Sequence, residues 1–74
     1  MPHVLIKHFS VPLDEQRKSE LVAAVTRAVT CALGCEEGVI SIALEPIPQE
    51  DWTDLVYVPE IVNRRHLLCK PPSY

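Results

Sequence analysis

Hydrophobic and polar residues change their spacing three times along the chain. His3, Val4, Leu5, Ile6, Lys7, His8 and Phe9 form a β-rich stretch whose polar members come late, so a strand is predicted over about residues 3–9, covered on much of both faces. Pro12 ends it, because proline donates no ladder hydrogen bond and restricts Val11 to extended geometry. Asp14 is a natural N-cap for a helix starting just beyond it. Leu21, Val22, Val25, Ala28, Val29, Ala32 and Leu33 then recur at the spacing of one helix face, which predicts a helix over about 14–33 stopped by Gly34. Lys18, Glu20, Thr26, Arg27 and Thr30 fill the rest of its circumference, so one side covers a sheet and the other meets water. After a turn at Cys35 to Gly38, the run Val39, Ile40, Ser41, Ile42, Ala43, Leu44 is nearly all apolar. It predicts a second strand over about 39–44, buried on both faces. Strand, long helix, strand with a right-handed crossover makes the two strands parallel. The expected fold class is α+β, a βαβ unit with two parallel strands and one long helix per chain.

Residues 45–74 lack this regularity and are expected to form an irregular C-terminal tail. Pro46 and Pro48 mark a loop, Gln49 to Val56 suits a short helix with Pro48 in its first turn, and Pro59 breaks it. Glu60 to Cys69 holds one or two more helical turns. Trp52, Leu55, Val56, Tyr57, Ile61, Leu67 and Leu68 in this tail need an apolar surface, and a partner subunit is the expected one.

A chain of 74 residues has room for one domain, 1–74. Below about 70 to 80 residues a single core rarely supplies more than ~3–5 kcal/mol, and two strands with one helix cannot close an independent core. Some further support is required. Cys31, Cys35 and Cys69 are odd in number and form no disulfide framework, which fits a reducing, cytoplasmic setting. A structural zinc needs four suitably spaced ligands, and His3, His8 and His66 are too scattered to supply them, so no metal is expected. Oligomerisation remains, with the bare sheet face and edge meeting another copy of the chain.

Net charge is −3, which argues against a nucleic-acid footprint. Arg64, Arg65, His66 and Lys70 form a small basic cluster, read either as a solvated face or counter-charge to a neighbouring subunit, or as an anion site. No run approaches the ~20 apolar residues of a membrane span. The first apolar stretch is interrupted by Lys7 and His8, unlike a signal peptide.

Met1, Pro2 and His3 at the start, Leu13-Asp14-Glu15-Gln16, Ile40 to Leu44, Trp52, Val56-Tyr57 followed by Pro59-Glu60-Ile61, and Lys70-Pro71 together resemble the 4-oxalocrotonate tautomerase family. The likeness covers nearly the whole chain and is nearest to its small dimeric bacterial branch with an extended tail. The resemblance implies a homodimer with a four-stranded sheet, a hexamer being the other family assembly. It also implies a cofactor-independent isomerase in which Met1 is removed and the secondary amine of Pro2 acts as general acid and base. The physical chemistry agrees. An α-amino group titrates near ~8, apolar walls push it towards neutrality, and a base poised near the working pH suits proton transfer. The implied reaction is keto–enol tautomerisation of a 2-oxo acid or its enol.

The chain departs from the family pattern at two positions. The arginine after the first strand and the one inside the second, which hold a dicarboxylate in the 4-oxalocrotonate type, align with Pro12 and Ile40. An apolar side chain cannot replace a bidentate arginine contact, so a phenylenolpyruvate-like monoacid is expected in a pocket made more apolar by Ile40. Trp52 aligns with the aromatic that a neighbouring subunit places over the substrate, and as the sole tryptophan it also suits an interface anchor. Phe9 aligns with a residue near the pocket, although a strand residue is core by default, and Tyr57 is expected to pack the tail. His3 points away from the catalytic face, His8 lies at the far end of its strand, and Lys7 suits solvent or an interface. Arg64, Arg65 or a backbone amide is left to bind the carboxylate. The alternative function is a non-catalytic oligomeric module on the same fold that binds a small molecule or a protein.

Overall fold

In the computed structural model, which describes residues 1–74, Asp14 caps the helix from an extended backbone. Its side chain accepts the Arg17 N–H at 2.7 Å, one of the donors that a helix start leaves without an internal partner. Helix α1 then spans Glu15–Leu33, and Gly34 closes it in the left-handed region at φ 65°, where a side chain would be strained. Asp14→Ala should therefore lower stability by about 1 kcal/mol, read by denaturant unfolding at one fixed protein concentration.

Strands β1 (His3–Phe9) and β2 (Ser41–Ile47) pair in parallel, with His3 opposite Ser41 and Phe9 opposite Ile47. The β1-α1-β2 order is the expected βαβ unit. The second strand, expected over 39–44, lies further along. Glu37–Val39 form a 3-10 turn, Ile40 leads out of it, and the strand continues through Pro46. Proline is tolerated there for a geometric reason. Ser41 N–H donates to the Pro2 carbonyl at 3.2 Å, and the alternation of a parallel ladder turns the Pro46 nitrogen towards the outer edge, where a missing donor breaks no bond.

The tail is more regular than its sequence pattern. Gln49–Asp51 make a 3-10 turn, Thr53–Val62 a π-helix and Arg65–Leu67 a further 3-10 turn. The helix expected to end at Val56 runs through Pro59. Asn63 N–H reaches back five residues to the Val58 carbonyl at 3.0 Å, and the wider π turn relieves the clash that the proline ring would make in an α-helix.

Side chains alternate across β1, so Leu5, Lys7 and Phe9 share one face and Val4, Ile6 and His8 the other. The second face, expected to stay bare for another copy, is partly taken by the chain's own tail: Glu60 pairs with Lys7 at 3.7 Å, and Trp52 packs on Phe9. Only two residues are buried, Ile47 at 3% and Val56 at 5% exposure. Elsewhere the strands expected to be buried on both faces are half-covered, with Leu5 47% exposed. Helix α1 has no buried residue at all. The protomer exposes 5810 Å², where a compact 8.3 kDa monomer would expose about 4,600 Å². Its radius of gyration is 13.9 Å, against roughly 11 Å for a self-contained domain of this length. No helix is long and apolar enough to cross a membrane.

Candidate active site

Pro2 sits half-buried at the entrance to β1, held by the Ser41 N–H on its carbonyl and placed beside half-buried Ile40. Met1 is fully exposed, so its loss removes no packing. His3 Nδ1 lies 2.6 Å from the Ser41 hydroxyl, on the face of the sheet that the register assigns to both residues. His8 Nδ1 lies 2.7 Å from the Phe9 carbonyl, which requires its proton on that nitrogen.

Phe9 closes β1 at its other end. Its ring meets Trp52 edge to face, with centroids 4.9 Å apart and planes at 85°, the geometry favoured by the aromatic quadrupole. The indole N–H donates to the Tyr74 hydroxyl at 3.1 Å. Tyr57, expected to pack the tail, does so against the Tyr74 ring at 5.8 Å. Phe9, Trp52 and Tyr74 together line an open hollow of about 460 Å³. Tyr74 is not legible from sequence as a lining residue; its only signal is a lone aromatic after a Pro-Pro-Ser stretch, and the fold back onto Trp52 spans 22 residues of sequence.

The four residues picked out by the pattern thus fall into two clusters. Pro2 and Ile40 share one end of the sheet, and Phe9 and Trp52 the other. With a rise of about 3.3 Å per residue, the length of β1 separates them by roughly 20 Å. A single protomer does not bring Trp52 to Pro2.

Lys7 and Arg64 share one carboxylate. Glu60 receives Lys7 at 3.7 Å and Arg64 at 3.4 Å, beside a second hollow that includes Leu5, Trp52 and Ile61. Both pairs are partly exposed and stabilise little, but they leave Arg64 already partnered. Arg65 lies exposed in the last 3-10 turn, and Pro12 lies exposed beyond β1. Neither cluster holds a free cation of its own. The two ends offer chemically a nitrogen with an apolar neighbour and, separately, an aromatic wall with one hydroxyl.

A family model described as "Tautomerase enzyme" matches residues 2–54, starting at Pro2. Over 74 residues the chain is 39% identical to Tautomerase PptA from Escherichia coli O139:H28 (strain E24377A / ETEC) and from Escherichia coli O9:H4 (strain HS), covering 100% of this chain and 97% of each relative. The identity is the same with Tautomerase PptA from Escherichia coli (strain K12 / DH10B), 95% of which is covered. The alignment runs the length of both chains and takes in both strands, the connecting helix and the tail aromatics, so this chain belongs to the tautomerase family.

Proposed function

We propose that the protein is a cofactor-independent keto–enol tautomerase of 2-oxo monoacids that uses the amine of Pro2 once Met1 is removed. The observation that carries the reading is the placement of Pro2: anchored through its carbonyl, half-buried beside Ile40, and preceded by a residue with no contacts to lose. In the ketonising direction the Pro2 nitrogen accepts the enol O–H proton. The oxygen electron pair forms the C=O bond, the C=C pair takes a proton at carbon from the same nitrogen, and the amine returns to its starting state. One group serves both positions, and its rigid ring fixes where the lone pair points.

A second copy completes the site. Pro46 blunts the outer edge of β2, whereas the outward N–H groups of β1 include no proline, so β1 is the edge suited to pairing. Antiparallel pairing of two β1 edges lays the start of one strand against the end of the other. Pro2 of each copy then approaches Phe9 and Trp52 of its partner within a four-stranded sheet. The surplus exposed surface of roughly 1,200 Å² per protomer exceeds the ~800 Å² per side of a standard interface and falls in the range of obligate homodimers, about 1,000 to 2,500 Å² per side. Residues 1–74 act as one domain in this dimer.

Substrate choice follows from Ile40 and Pro12, which provide no charge for a second carboxylate. Phenylenolpyruvate should be ketonised with kcat/KM at least about tenfold above the enol of a 2-oxo dicarboxylate of similar length, since the second carboxylate would meet no bidentate partner. Stopped-flow absorbance of the two enols measures this. Equal values, or a preference for the diacid, would refute the monoacid assignment.

A further inference from the structure

Two of the three aromatic residues around the hollow carry expectations from the sequence; Tyr74 carries none, and its contacts are the more informative. Its hydroxyl accepts the Trp52 N–H at 3.1 Å. A phenol that accepts still has one proton to donate, and no acceptor in the chain takes it. Its ring leans on Tyr57 at 5.8 Å and a 40° tilt, while 67% of the residue is exposed. Packing alone therefore does little to hold Tyr74; the indole hydrogen bond and the Tyr57 ring define its position. The same bond fixes the indole, which stands edge-on to Phe9. The hollow consequently has three aromatic walls, one unspent O–H donor and no cation in its lining.

We infer that Tyr74 is a further substrate-positioning residue: its ring is the third wall of an aryl-binding hollow with Phe9 and Trp52, and its hydroxyl, steadied by the indole N–H, donates to the acid group of the substrate. The inference rests on the reading that this hollow receives an aryl monoacid. It gives the missing arginines a neutral substitute. A phenolic donor orients one carboxylate without requiring a second charge, and hydrogen bonds to charged groups are worth more than neutral ones. Because the contact is made equally in ground and transition states, its loss falls on KM rather than on kcat.

The test uses 3-phenylpropionate, an aryl monoacid that cannot enolise to product, and propionate, which lacks the ring. Trp52 is the only tryptophan, so its fluorescence reports the hollow directly. Saturable quenching by 3-phenylpropionate and little by propionate is expected for the wild type. Tyr74→Phe keeps the ring and should weaken 3-phenylpropionate about tenfold, with a shifted indole emission. Tyr74→Ala should weaken it further. In turnover of phenylenolpyruvate, Tyr74→Phe should raise KM by a similar factor with kcat within about threefold. Wild-type protein that fails to bind 3-phenylpropionate, or Tyr74 variants that match it in both affinity and emission, would overturn the inference. Failure of the tautomerase reading shows separately, as an absence of wild-type ketonisation while the binding differences persist.

Discussion

A chain that keeps Met1, or carries any peptide extension ahead of Pro2, should ketonise phenylenolpyruvate about 10²- to 10⁴-fold more slowly than the same chain beginning at Pro2. In an intact Met-Pro bond the proline nitrogen is part of an amide, and its lone pair is delocalised into the carbonyl. It can neither accept the enol proton nor return it. Within its own chain Met1 packs against nothing, being fully exposed. The blocked and free forms should therefore share their circular dichroism. Pro2→Ala restores an amine but not the ring that aims it, so it should fall between the two. Intact-mass spectrometry of each preparation reports the state of residue 1 alongside the rates. Equal turnover by the extended and free chains would remove Pro2 from the mechanism and return the protein to the binding-module alternative.

The parts of the fold legible in the sequence are those governed by one local rule. Asp14, the Leu21 to Leu33 stripe and Gly34 each act within a turn or two, and α1 appears where they place it. The second strand lies further along than its pattern suggests because Pro46 reads as a terminator in isolation, and only the ladder register reveals that its nitrogen faces an unpaired edge. Pro59 is misleading for a similar reason: a π turn that accommodates the ring depends on where the tail must lie against β1, which no local pattern encodes. The candidate site divides along the same line. Pro2, Ile40, Phe9 and Trp52 stand out by alignment with family positions, and their division between the two ends of the sheet comes from the length of β1. The Tyr74 contact joins residues 22 apart and has no periodicity to announce it. The expectation of an unpartnered sheet face holds only in part, because the tail covers some of that face on its own chain; even with its own tail in place the protomer buries only Ile47 and Val56.

Because the site is split between the ends of one strand, chains carrying Pro2→Ala and chains carrying Trp52→Leu should each be poorly active as pure preparations. Leucine retains an apolar body against Phe9 but loses the aromatic face and the indole donor, for an expected loss of at least about tenfold. When the two are unfolded together and refolded, random pairing makes half the dimers mixed. In a mixed dimer, one site combines the intact Pro2 of the Trp52→Leu chain with the intact Trp52 of the other, and the second site carries both defects. Activity should thus rise to about a quarter of wild type, well above either parent. The arithmetic depends on geometry alone: Pro2 at the start of β1 and Trp52 packed on Phe9 at its end, ends roughly 20 Å apart, can serve one substrate only if they come from different copies. A mixture that stays at the mean of its parents while sedimenting as a dimer would place both residues in one chain's site and exclude the antiparallel β1 pairing.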